Sequence, residues 1–331
     1  MSRWIVVVLT VLARPLWLAA AEPPSSTLPR HVENGRVKFI PAPGVVPPQH
    51  RLDEHEFDFT LKRRRDLPLS GFQVYDLTYP SPVESPFPEN NTVYAEYFCP
   101  RGPGPFPAVI LLDILDGSAV IPQSQAKLLA QNGIAGLHVR MAYYGPRKPA
   151  GRRVRLLSTD LSQTRAAVQQ TVLDLRRAVA WLESRPEIDG QKLGICGTSL
   201  GSFLAALTAE SEPKLSKVAL LFGGGGFVDG YSEHPLAQPF LATLQWFGIS
   251  RETLKQLLAP VDPLTHAANL KSRDVLIIAA KRDDVVPPRM AEMMWEACGQ
   301  PKIVWFDSTH VGAAYYSVSM LRHVLEHFRW K

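Results

Sequence analysis

The rhythm of apolar and polar positions changes along the chain. Segments 56–61, 72–79 and 92–98 alternate with a period of two, and proline-rich turns separate them. Such alternation predicts antiparallel strands with one buried face. Beyond residue 100 the apolar runs become uniform, as in Val-Ile-Leu-Leu at 109–112 and Val-Leu-Ile-Ile at 275–278. Runs without polar interruption fit strands covered on both faces, the environment of a parallel sheet. They fall at 108–112, 134–139, 192–196, 217–222, 274–280 and 302–306.

Segments 123–131, 160–184, 200–210, 288–298 and 313–328 lie between or after these runs and carry helical spacing. The clearest is 160–184, where Val168, Val172, Leu175, Val179 and Leu182 trace one face. Strands alternating with helices predict parallel strands joined by right-handed crossovers. The expected architecture is α/β: a mostly parallel twisted sheet of about eight strands flanked by helices, opened by antiparallel strands. About fifty residues separate the runs ending at 222 and starting at 274, too many for a plain loop. Within them 236–247 and 250–258 read as helices, so a small helical insertion is expected at about 227–268, after the sixth strand.

The N-terminus departs from this pattern. Arg3 precedes an apolar run from Trp4 to Leu12, and Ala19-Ala20-Ala21 offers small residues before Glu22. That layout predicts a signal peptide over 1–21 and an exported protein, periplasmic or secreted. Arg14 and Pro15 interrupt the apolar stretch, so no stable membrane span is expected once the signal is cleaved; an uncleaved anchor is the alternative. Residues 22–54 are proline-rich and read as a linker or strap, leaving 55–331 as the folded domain.

Composition narrows the function. The chain has 331 residues, 46% hydrophobic and 20% charged, with a formal net charge of +5 that falls to +3 without Arg3 and Arg14. That balance is too weak to argue for nucleic acid, and no motif for it is present. The basic cluster at 147–155 reads as a solvated loop, with an anionic contact as the alternative. Three cysteines make no disulfide framework; Cys99 and Cys298 can pair only if the fold brings them together, and Cys196 sits in an apolar strand. No feature sets an oligomeric state.

Candidate chemistry centres on Gly197-Thr198-Ser199-Leu200-Gly201. A serine hydroxyl needs a base to take its proton and donors to hold the developing oxyanion. The G-x-S-x-G string places serine on a sharp strand-to-helix turn, with glycines where a Cβ would collide. It follows the apolar strand Lys-Leu-Gly-Ile-Cys and opens a helical segment, which is the context the motif requires. An orienting acid and a histidine should then follow in chain order. Asp283, just past the strand at 274–280, is the candidate acid, with Asp284 as the alternative. His310, in the loop after the strand at 302–306, is the candidate base.

On these residues the chain resembles the α/β-hydrolase superfamily, in its dienelactone-hydrolase and acetyl-xylan-esterase-like branch. The resemblance covers roughly 90–330. It is carried by the helix VLDLRRAVAWLESRPEID leading into KLGICGTSLGS, by PLTHAANL, by the RDDVVPP turn and by STHVG. It implies an acyl-enzyme reaction on a small-molecule or oligomeric ester, using Ser199, Asp283 and His310, without cofactor. It also implies oxyanion donors at the backbone amides of Leu200 and of Ile114 or Leu115. The chain departs from the family there, with Asp113 and Asp116 where glycine-rich residues are usual. Those carboxylates should point away or be paired, and Arg140 is a candidate partner. Tyr143, Tyr144 and Trp246 are the substrate-binding candidates.

Two other readings stay open: a peptidase or thioesterase on the same triad, and a non-catalytic hydrolase-like binding protein. His323-Val324-Leu325-Glu326-His327 matches a zinc-protease string, but only four residues follow it. It reads as a solvated helix face, and no metal is assigned.

Overall fold

Alternation and uniform runs resolve into one ten-stranded sheet. A computed structural model describes residues 31–64, 70–152, 154–235, 237–246 and 248–330. The strands are β1 (Val32–Phe39), β2 (His55–Arg63), β3 (Phe72–Pro80), β4 (Thr92–Pro100), β5 (Phe106–Leu112), β6 (Ala135–Val139), β7 (Ile188–Thr198), β8 (Leu215–Leu221), β9 (Asp274–Ala280) and β10 (Lys302–Phe306). Their order is β1-β2-β3-β4-β6-β5-β7-β8-β9-β10. The pairs from β1 through β4 and on to β6 are antiparallel; every pair from β6 to β10 is parallel.

The sheet has ten strands rather than about eight, and the expected linker at 22–54 supplies one of them. β1 pairs with the whole of β2, burying Val37 and Phe39 and exposing Arg36 and Lys38. Arg36 bridges to Asp58 at 2.7 Å and to Glu56 at 3.7 Å, and Lys38 pairs with Glu54. Only two of its eight side chains are fully buried, so the strand carries little alternating apolar pattern. The remainder of that segment packs onto the domain: His50 is buried, with its Nδ1 2.8 Å from Ser211 Oγ. The proposed signal at 1–21 lies outside the described residues.

Helices cover both faces. α2 (Leu161–Glu183) and α3 (Leu200–Ser211) pack over Ile110, Leu112, Leu193, Ile195, Val218 and Leu220. The opposite face, with Val109, Leu111, Cys196 and Ala219, is covered by α1 (Val120–Gln131) and α8 (Ser317–His327). Successive strand residues therefore enter different cores, which is why the central strands are apolar throughout. Asp160 caps α2, accepting from the amides of Ser162 at 2.9 Å and Gln163 at 3.3 Å.

The helical insertion follows β8, the eighth strand in chain order rather than the sixth. It comprises α4 (Phe227–Gly230), α5 (Gln238–Trp246) and α6 (Arg251–Leu258), then short 3-10 turns to Leu270. α7 (Pro288–Ala297) links β9 to β10. Among the described residues, no helix is long and apolar enough to cross a membrane. All three cysteines are free.

Candidate active site

Ser199 sits between β7 and α3 at φ 53° and ψ −118°, a left-handed conformation unusual for a residue with a side chain. Both flanking glycines are required. A Cβ on Gly197 would lie 2.0 Å from the Gly201 carbonyl oxygen, and one on Gly201 would lie 2.6 Å from that of Asp113. The Ser199 amide donates to Leu221 O at 2.7 Å, tying the turn to β8. Strain here is stored where a side chain must project from a sharp turn.

His310, in the loop after β10, comes within 3.0 Å of Ser199 Oγ through Nε2. Its Nδ1 is 2.7 Å from Asp283 Oδ2, in the loop after β9. The other Asp283 oxygen accepts from the amides of Val285 at 2.9 Å and Val286 at 2.7 Å, which holds the carboxylate in place. A carboxylate only accepts, so the Nδ1 atom carries the proton and the Nε2 lone pair faces the serine. Asp284 does not reach the ring; its Oδ1 accepts from the His310 amide at 3.4 Å. Phe222, at φ 52° after β8, sets its ring edge-on to His310 with centroids 6.1 Å apart.

The insertion braces this constellation. Tyr231 donates its hydroxyl to Val285 O at 2.7 Å, and His234 Nε2 lies 3.2 Å from Asp284 O. Both reach backbone oxygens of the acid-bearing loop, a contact with no sequence signature. The glycines at 223–226 open no space. A Cβ at 223 would lie 2.3 Å from Ser202 Oγ, and one at 224 would lie 2.5 Å from the Met290 carbonyl.

The loop after β5 holds Ile114 and Leu115, and Leu200 is the first residue of α3. Asp113 points away from this loop into the fold, where Arg140 donates to it at 3.0 Å and His138 Nε2 lies 2.9 Å from it. Asp116 is exposed and accepts from the Ser118 amide at 2.7 Å. Tyr144 donates to Leu115 O at 2.8 Å, which makes it a brace of the loop. Burial, with Asp113 and Asp116 nearby, pushes the Tyr144 hydroxyl up to about 12, so it stays a donor.

One substrate-binding candidate, Tyr143, falls in the core. It is 5% exposed and edge-on to Phe87, because the left-handed turn at φ 66° folds its ring inward. Trp246 stands 82% exposed on α5. The basic cluster also divides. Arg147 is fully buried beside Asp174, correcting its reading as part of a solvated loop, while Lys148 is exposed. His327 is not solvated either: its side chain is 7% exposed beside Phe328, and burial pushes the ring down to about 4. Among the described residues, no group of three or more His, Cys, Asp or Glu could hold a metal.

Comparisons with known proteins agree with this architecture. Residues 162–314 match the prolyl oligopeptidase family. An uncharacterized protein of Mycobacterium tuberculosis (strain ATCC 25618 / H37Rv) is 29% identical over 150 residues, 43% of this chain and 33% of that protein. The chain thus spans about a third of the length of this curated relative. The acetyl xylan esterase of Paenibacillus sp. R4 superposes with a TM-score of 0.65 at 20% identity, covering 81% of this chain and 88% of that one. Acetyl xylan esterase 1 of Thermoanaerobacterium sp. JW/SL YS485 gives 0.60 at 18%, covering 82% and 88%. The α/β-hydrolase GrgF of Penicillium sp. sh18 gives 0.54 at 15%, covering 77% and 97%. With its parallel sheet, a glycine-flanked serine turn between β7 and α3 and these structural neighbours, the chain has the α/β-hydrolase fold.

Proposed function

We propose that the chain is a serine hydrolase that cleaves carboxylic esters through an acyl-enzyme. The observation that carries this reading is the linear arrangement Ser199 Oγ, His310, Asp283, with contacts of 3.0 and 2.7 Å. His310 Nε2 takes the hydroxyl proton as Ser199 Oγ attacks the ester carbonyl, and Asp283 stabilises the imidazolium that forms. The amides of Leu200 and of Ile114 or Leu115 hold the oxyanion. Collapse breaks the ester C–O bond, and the alcohol leaves with the proton from His310. Water, deprotonated by the same ring, then attacks the acyl carbon and returns Ser199 to its hydroxyl form with release of the acid.

Likeness to acetyl xylan esterases favours small or oligomeric acetylated carbohydrates as substrates. The match to the prolyl oligopeptidase family favours a second reading, peptide-bond cleavage by the same residues. Export by a leader at 1–21 completes the proposal, and N-terminal sequencing of the protein from its host tests it.

A fluorophosphonate probe should label the purified protein and fail to label Ser199→Ala. Labelling that persists in the variant would remove Ser199 as nucleophile. A panel of acetylated xylo-oligosaccharides, graded acyl esters and peptide amides then separates the two substrate readings.

A further inference from the structure

The loop assigned to the oxyanion begins at a residue held on all sides. Asp113 is fully buried; its Oδ1 is 2.9 Å from His138 Nε2 and its Oδ2 accepts from Arg140 at 3.0 Å. The Asp113 carbonyl oxygen lies where a Cβ on Gly201 would meet it at 2.6 Å, so its main chain abuts the serine turn. Arg140 also donates to Gly117 O at 3.3 Å, and the Gly117 amide donates to Ile114 O at 3.0 Å. Ile114 and Leu115 are therefore suspended between Asp113 on one side and Gly117 with Tyr144 on the other.

His138 has a second carboxylate on its other nitrogen. Nδ1 lies 2.9 Å from Glu96 Oε2, and the ring is 0% exposed. A neutral imidazole has a single N–H, which would leave its other nitrogen facing a carboxylate lone pair. Only the imidazolium donates to both. Each carboxylate is also engaged by other donors. Glu96 accepts from Gln123 and Arg64 at 2.6 Å each, and Asp113 from Arg140. The result is a row of alternating charge, Arg64, Glu96, His138, Asp113, Arg140, whose three middle members are buried.

We infer that His138, protonated between Glu96 and Asp113, is a positioning residue that sets the loop whose Ile114 or Leu115 amide is the oxyanion donor, so that turnover requires its proton. The inference rests on the serine-hydrolase reading. Facing the ring are Glu96 from β4, Asp113 after β5 and Arg140 after its own strand. Arg64 and Asp76 lie behind Glu96, and Gln123 of α1 covers it; Tyr144 approaches Asp113. Burial disfavours a charged ring, but the hydrogen bonds to Asp113 and Glu96 outweigh it and raise His138 above the ordinary 6.5. Loss of the proton on the alkaline side leaves two buried carboxylates with one cation fewer between them, and Asp113 loses its hold on the loop.

The test is a pH profile of kcat and KM for the intact protein on an ester it hydrolyses, beside ¹⁵N NMR of the histidine rings. Wild-type kcat should fall on the alkaline side with KM unchanged, and the midpoint should coincide with deprotonation of His138. His138→Gln should lower kcat by about 100-fold, the low end of the cost of losing one oxyanion donor, and abolish that alkaline limb. A variant that keeps wild-type kcat and its limb overturns the inference. If the variant does not fold, the wild type still decides: a His138 ring that is neutral where kcat is maximal overturns it. A wild type that fluorophosphonate never labels removes the Ser199 reading; labelling with an unmoved limb removes only the role of His138.

Discussion

Arg147 and Asp174 form an ion pair of 2.7 Å in which neither side chain is more than 1% exposed. The guanidinium also donates to the carbonyls of Asn90 and Arg140, and Ser81 donates to the other Asp174 oxygen. One charge thus joins the loop after β6 to α2 and to the turn before β4. Removing either partner strands a buried charge, which costs about 3–5 kcal/mol. Arg147→Ala and Asp174→Asn should each lower the urea midpoint accordingly. The double variant Arg147→Ala with Asp174→Asn should lose less than the two singles combined, and strict additivity would show that the pair is not coupled.

Asp283 and Asp284 are adjacent, yet only the first reaches the imidazole. Asp283→Asn keeps an oxygen for the Val285 and Val286 amides but favours the wrong tautomer of His310, so kcat should fall about 10⁴-fold with folding intact. Asp284→Asn should retain most activity, because its carboxylate touches only the His310 amide at 3.4 Å. Steady-state kinetics of the two variants decide between them. Equal losses would move the orienting role away from Asp283.

Gly197→Ala puts a methyl group 2.0 Å from backbone at Gly201, which cannot move without dragging the serine turn. A loss at or beyond the upper end of the roughly 1–3 kcal/mol typical of overpacking is expected, together with loss of fluorophosphonate labelling. A variant with unchanged Tm and labelling would contradict the turn geometry.

Glu96 should give the fold an acid sensitivity. Burial opposes its ionisation, but hydrogen bonds from His138 and Gln123 and the charge on Arg64 outweigh it and hold the carboxyl at about 2, below its ordinary 4.5. A depressed pKa means stability that is present above 4.5 and lost as pH falls toward 2. The stability gap between wild type and Glu96→Gln, read from urea titrations, should therefore narrow over that window. A gap that stays constant with pH would show that Glu96 is not held ionised.

What could be read from the sequence follows from how local each feature is. The uniform runs in β5 and β9 declared two-sided burial, and the elbow string, lying between such a run and a helix, located Ser199. Asp283 and His310, which the structure brings together with Ser199, stood out because each lies just past a strand end. β1 was missed because Glu33, Asn34, Arg36 and Lys38 interrupt its pattern and its pairing partner is distant. The environment of His138 was equally hidden, since its two carboxylates come from β4 and the end of β5, 42 and 25 residues away. Arg147 was misread for the same reason: a basic cluster says nothing of a counter-ion on another helix. Tyr231 and His234 act on backbone oxygens, which no residue pattern records.

The charged pairs along β1 bear on what an added strand would meet at this edge of the sheet. An open sheet edge invites any extended chain to add itself as the next strand. A visiting strand at β1 would have to lie against Arg36 and Lys38, both already bound to acids on β2 or the turn before it. It would either dehydrate those charges or break their pairs, and nothing in its own backbone would compensate. The edge therefore discourages fibril-like growth, and substituting Arg36 and Lys38 with valine and isoleucine should turn a self-terminating sheet into one that recruits copies of itself.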